Sequence, residues 1–116
     1  MKTDQAAQIF EALSSTTRLE IFRLLVKNAP EGLVAGDIAR HLNIPANNLS
    51  FHLKSILHAN LVIMHKEGRF LRYQANIPLM LQTIGYLTAE CCAKNQAQCY
   101  SFRQASGLDP KLFNLE

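Results

Sequence analysis

Cys91, Cys92 and Cys99 are the only cysteines of the chain, and they fall within nine positions near its C-terminal end. Soft thiolates gathered in one short segment are the ligand set of a thiophilic ion. Trivalent arsenic and antimony take three thiolates and keep a lone pair in the fourth direction, whereas zinc usually takes four ligands and accepts histidine or carboxylate. The cysteine count therefore predicts As(III) or Sb(III) at Cys91, Cys92 and Cys99, with cadmium, lead or zinc as alternatives and no organic cofactor. A thiol-based sensor of oxidants or reactive sulfur would use the same residues, and Lys94 and Arg103 stand close enough in sequence to favour thiolate in either case. The bland alternative makes Cys91 a buried interface hydrophobe and Cys99 a surface thiol.

Spacing adds a constraint. In one continuous helix Cys91 and Cys99 would lie about 12 Å apart along the axis, at about 1.5 Å per residue, too far for one ion. The helix must stop between them, and Asn95 is the expected stop. Catalysis by these sulfurs is disfavoured. An arsenate reductase built on a phosphatase-like loop needs an arginine six residues after its cysteine, and those positions hold Ala97, Gln98 and Ala105. There is no Cys-x-x-Cys pair either. The expectation is a binding protein, not an enzyme.

What must position the cysteines is one small domain. A chain of 116 residues that is 48% apolar can bury a core, and no stretch approaches the roughly 18 apolar residues of a membrane span. An odd cysteine count with a vicinal pair fits a secreted disulfide framework poorly, so the expected location is the cytoplasm, with no membrane partner. Charge is uneven. Between residues 35 and 73, Arg40, Lys54, Lys66, Arg69 and Arg72 face only Asp37 and Glu67, which accounts for the whole net charge of +3. A local cationic excess is what a phosphate-binding face requires.

Apolar spacing predicts a helix over Asp4 to Leu13 and a second, capped by Ser14 or Ser15, that ends by Asn28 to Gly32. A short helix over Gly36 to Leu42, a break at Asn43 to Pro45 and a helix from Ala46 to Ala59 form a helix-turn-helix. In the last of these, Leu49, Leu53, Ile56 and Leu57 make the apolar stripe. Asn47, Asn48, Ser50, His52, Lys54 and Ser55 are left to meet the base edges and phosphates of double-stranded DNA. Asn60 suits a left-handed cap. Leu61 to His65 and Phe70 to Ala75 read as a hairpin whose turn carries Lys66 and Arg69 toward phosphates or the minor groove. Asn76 then caps a helix running to about Ala93, with Leu79, Met80, Ile84, Leu87 and Cys91 in one stripe. With the helix around Phe10, that stripe reads as the interface of a homodimer. The expected fold is mainly α with a β-hairpin, a winged helix-turn-helix of four helices, hairpin and fifth helix over residues 1–100. The tail over residues 101–116 is expected to be irregular, with Leu108, Leu112 and Phe113 packing back.

The run from Phe10 to Leu25, the run from Leu49 to Val62 and the wing from Lys66 to Tyr73 resemble the ArsR/SmtB family of metal-responsive winged-helix repressors. The resemblance spans about residues 5–92. It departs at Ser15-Thr16, where the family commonly has Asp-Pro, and at Asn60, where it commonly has glycine. It implies a homodimer that binds operator DNA without effector and releases it when the ion binds, with Asn47, Asn48, Ser50 and His52 on the recognition helix and Arg69 on the wing. The segment Leu33 to Asp37, where many arsenic sensors carry cysteines, has none, and Ile77 to Ala93 lacks the histidine and aspartate of the zinc sensors. The three cysteines instead resemble the C-terminal site of an arsenic-responsive branch.

Overall fold

The computed structural model describes residues 1–91 and 93–109. Helix α1 (Thr3–Leu13) buries Ala6, Ile9 and Ala12, three residues apart and hence on one face. Ser15 closes the corner that follows: its hydroxyl accepts from the Arg18 N–H at 3.3 Å and starts α2 (Thr16–Lys27), which buries Ile21, Phe22 and Leu25. Strand β1 (Leu33–Val34) leads straight into α3 (Ala35–Leu42). Asn43, at φ 53°, turns the chain toward α4 (Ala46–His58). The most deeply buried large side chains, Ile9, Ile21, Leu25, Ile38, Leu49, Ile56 and Leu61, come from all four helices and the loop after α4. One core therefore holds α1 to α4 together.

Asn60, at φ 63°, delivers the chain to β2 (Val62–Glu67) and β3 (Phe70–Ala75), joined by Gly68 and Arg69. The sheet is antiparallel with order β1-β3-β2, pairing Glu67 with Phe70 at the tip and Val62 with Ala75 at the base. The winged helix-turn-helix is as expected, with one addition. β1 pairs Leu33 with Tyr73 and Val34 with Arg72, a two-residue strand too short to leave a periodic signal. Gly32 makes this pairing feasible. It sits at φ +75°, and a Cβ there would collide with the Tyr73 carbonyl oxygen.

The C-terminal third departs further from expectation. α5 (Ile77–Thr88), capped by the Asn76 side chain, ends five residues before Ala93; Ala89 leaves helical geometry and Glu90 turns at φ 69°. After Thr83 no described residue is buried until Cys99, so nothing packs against a longer helix to hold it. Asn95 is not a stop but a start: its side chain accepts from the Gln98 N–H at 2.9 Å and caps a sixth helix, α6 (Gln96–Ser106). Residues 101–106, expected to be irregular, are thus helical, with Arg103, Gln104 and Ala105 as good helix formers, and Gly107 ends the helix at φ 74°. Leu108 does not pack back; it is 52% exposed. Leu112 and Phe113 lie outside the described residues. The stripe expected on α5 also divides: Leu79 is buried and Met80 half-buried, Ile84 and Leu87 face outward, and Cys91 lies beyond the helix end. Among the described residues no helix is long and apolar enough to cross a membrane.

Gly32→Ala should lower the unfolding free energy by at least about 2 kcal/mol, since it adds left-handed strain to a backbone collision. A urea titration followed by circular dichroism measures this; an unchanged midpoint would mean that β1 pairing contributes nothing to stability.

Candidate functional site

The site that the fold builds first is the outer face of α4. Burial of Leu49, Leu53 and Ile56 fixes the rotation of this helix and leaves Asn47, Asn48, Ser50 and Lys54 exposed. These amide, hydroxyl and ammonium groups offer donors and acceptors on one outward surface. His52 and Ser55, expected on the same surface, are half-buried at its flank. The Ser55 hydroxyl donates to the Phe51 carbonyl at 3.4 Å, and the His52 Nδ1 lies 3.5 Å from an Arg18 guanidinium nitrogen.

Arg18 is a residue that polar-face reasoning missed. Its Nε donates to the Ala12 carbonyl at 2.6 Å, so one side chain joins the end of α1, the first turn of α2 and the flank of α4. A lone arginine one turn after a helix cap leaves no periodic signal, so only the tertiary contact reveals it. Phe51 was missed as well. It stands about 200° round the helix from Leu49, at about 100° per residue, and is 66% exposed in the middle of the outward face. Projection of the helix would have found it.

The wing carries the remaining cations. Lys66 near the end of β2 and Arg69 in the turn are exposed. Arg72 is committed elsewhere: it pairs with Glu67 at 2.9 Å and also reaches the Gly32 carbonyl at 3.4 Å. Beside it His65 and Gln74 are hydrogen-bonded at 3.0 Å, and the Gln74 amide donates to the Glu31 carbonyl. The base of the wing is therefore tied to the loop before α3, and its tip presents Lys66 and Arg69.

The cysteines occupy a separate place. Cys91 is exposed in the turn after α5, whereas Cys99 is 3% exposed and the buried residue of α6, the reverse of the bland expectation. With the helix broken between them, their sulfurs come within 3.2 Å. Lys94 and Phe102 line the adjoining cleft of about 350 Å³. Among the described residues no group of three or more His, Cys, Asp or Glu forms a metal site. Cys92 lies outside the described residues.

A helix-turn-helix domain family matches residues 13–65, which run from the end of α1 through α4 into β2. The transcriptional repressor SdpR of Bacillus subtilis is 33% identical over 79 residues, 68% of this chain and 84% of that protein. The arsenical resistance operon repressor of Staphylococcus aureus is 31% identical over 101 residues, 82% of this chain and 94% of that protein. The structure of an ArsR-like transcriptional regulator from Rhodococcus sp. RHA1 superposes with a TM-score of 0.62 at 27% identity, covering 89% of each chain. The outward α4 face, the cationic wing tip and these relatives agree: the chain belongs to the ArsR family of winged-helix transcriptional repressors, which are DNA-binding regulators and not enzymes.

Proposed function

We propose that the protein is a homodimeric, cytoplasmic repressor that holds operator DNA until trivalent arsenic or antimony binds Cys91, Cys92 and Cys99. The observation that carries the inducer assignment is the 3.2 Å approach of the Cys91 and Cys99 sulfurs. Two thiolates on one ion at metal–sulfur distances of about 2.3 Å can be at most about 4.6 Å apart, so this pair is already within range. A relative named for arsenical resistance supports the same ion class. Cys92, next to Cys91 in sequence, is the proposed third ligand.

On the DNA side, Asn47, Asn48, Ser50 and Lys54 meet the major groove, with His52 and Ser55 at the flank and Lys66 and Arg69 on the backbone beside it. Dimerisation uses α1 and α5. These helices are joined by a 2.6 Å hydrogen bond between the Thr3 and Tyr86 hydroxyls, and Phe10, Leu81, Ile84 and Leu87 stand exposed on them. An ion that binds Cys91 and Cys99 fixes α6 against the end of α5. It thereby acts beside the dimer face and biases the spacing of the two recognition helices.

A second reading shares this support. The same 3.2 Å approach of two sulfurs would also serve a thiol switch that answers oxidants or reactive sulfur.

A gel-shift titration of one operator separates the two. Arsenite and antimonite should release the reduced protein, and Cys91→Ser or Cys99→Ser should weaken that release at least tenfold while leaving effector-free binding intact. Release by peroxide or polysulfide with no response to arsenite would select the redox reading. Arg69→Ala should weaken binding on all sequences alike and reduce the slope of log affinity against log salt by about 0.9 for each phosphate that the variant no longer neutralises; a changed base preference instead would make Arg69 a reader of sequence. In sedimentation experiments Leu87→Glu should shift dimer to monomer, and an unaltered dimer would place the interface elsewhere.

A further inference from the structure

Phe51 is the feature that the functional reading leaves unused. A phenyl ring 66% exposed on a surface helix is costly to leave in water, and around it stand polar groups: Asn47 and Asn48 one turn before, Lys54 and Ser55 one turn after. The cleft of about 580 Å³ beside it, between α1 and α4, is lined largely by polar side chains, among them Gln8, Glu11, Arg18, Lys54 and His58, with only Ala12 and Ala59 as apolar neighbours. An amphipathic partner helix is held by several large apolar anchors along a groove, and Phe51 is the one large apolar side chain that lines this cleft. The ring is also braced. His52 packs edge-on against it with centroids 5.5 Å apart and planes at 72°, and the carbonyl of Phe51 itself receives the Ser55 hydroxyl.

The occupant has to be polar and anionic overall, with an isolated apolar spot at the height of the ring. Duplex DNA fits both halves of that description: phosphates suit Lys54 and the wing cations, and the C5-methyl of thymine is the apolar group on a major-groove edge. We propose that Phe51 is a specificity-determining residue that reads thymine through its C5-methyl group. The inference rests on the operator-binding reading above and extends it by naming a base and the atom recognised.

Replacing thymine by deoxyuridine removes that methyl group and alters no hydrogen-bonding atom. The full chain is used to select its preferred duplex from a randomised pool, and each thymine of that duplex is then replaced by deoxyuridine in turn and titrated by gel shift. For the wild-type protein at least one substitution in each half-site should weaken binding about fourfold, the loss of one buried methyl. Phe51→Ala should bind the thymine duplex more weakly and show no difference between thymine and deoxyuridine at that position; Phe51→Leu should restore part of the difference. Because Phe51 is exposed, both variants should keep the wild-type unfolding midpoint. Specific binding by the wild type with no methyl dependence anywhere, or a difference that survives in Phe51→Ala, would overturn this inference alone. A wild-type protein that selects no duplex would overturn the operator reading and this inference together.

Discussion

Everything that this protein presents outward depends on how α4 is seated. Leu49, Leu53 and Ile56 enter a core supplied by α1, α2 and α3, and burial of the three sets the rotation of the helix about its own axis. The polar side chains have no say in that choice; they face outward because the apolar ones face in. At about 100° per residue, a slip of one position would bring Phe51 or Lys54 a large step toward the core and turn the Asn47 side away. The interior of the protein thus determines which atoms a partner can touch, and core packing and recognition are one design problem. Arg18 belongs to the same arrangement, since it grips the Ala12 carbonyl while reaching the flank of α4.

The sequence made the N-terminal two thirds legible because local signals agreed there with the tertiary outcome. Ser15 and Asn76 are caps in both readings, Asn60 takes the left-handed conformation expected of it, and the hairpin falls where β-branched and aromatic residues flank a glycine turn. What stayed hidden was tertiary. β1 exists because Gly32 lets two strands approach, which no two-residue pattern can announce. His52 and Ser55 looked as outward as their neighbours until helix packing drew them to the flank.

The cysteine segment was legible in its chemistry and not in its shape. Its spacing required that the helix stop, and it does, but Asn95 plays the opposite part to the one expected, opening α6 instead of ending α5. Asparagine serves either end of a helix, and the choice was made by what lies around it: an α5 with no buried residue after Thr83, and a following stretch rich in good helix formers. The core of the winged helix does not reach this region, so its structure is governed by local capping and by Cys99, the residue that α6 buries.

The stitching at the base of the wing has a mechanical meaning. Through β1, through Arg72 on the Gly32 carbonyl and through Gln74 on the Glu31 carbonyl, the hairpin is fastened to the strand that runs directly into α3. Hairpin and helix-turn-helix therefore move as a single block, and the separation between the wing tip and the exposed face of α4 behaves as a ruler of fixed length. A molecule built this way cannot loosen its hold by bending one finger. In the homodimer proposed above, control would be exerted between blocks, by altering the phase at which two rulers are laid along the same double helix, where a shift of a few ångströms in their spacing defeats both at once.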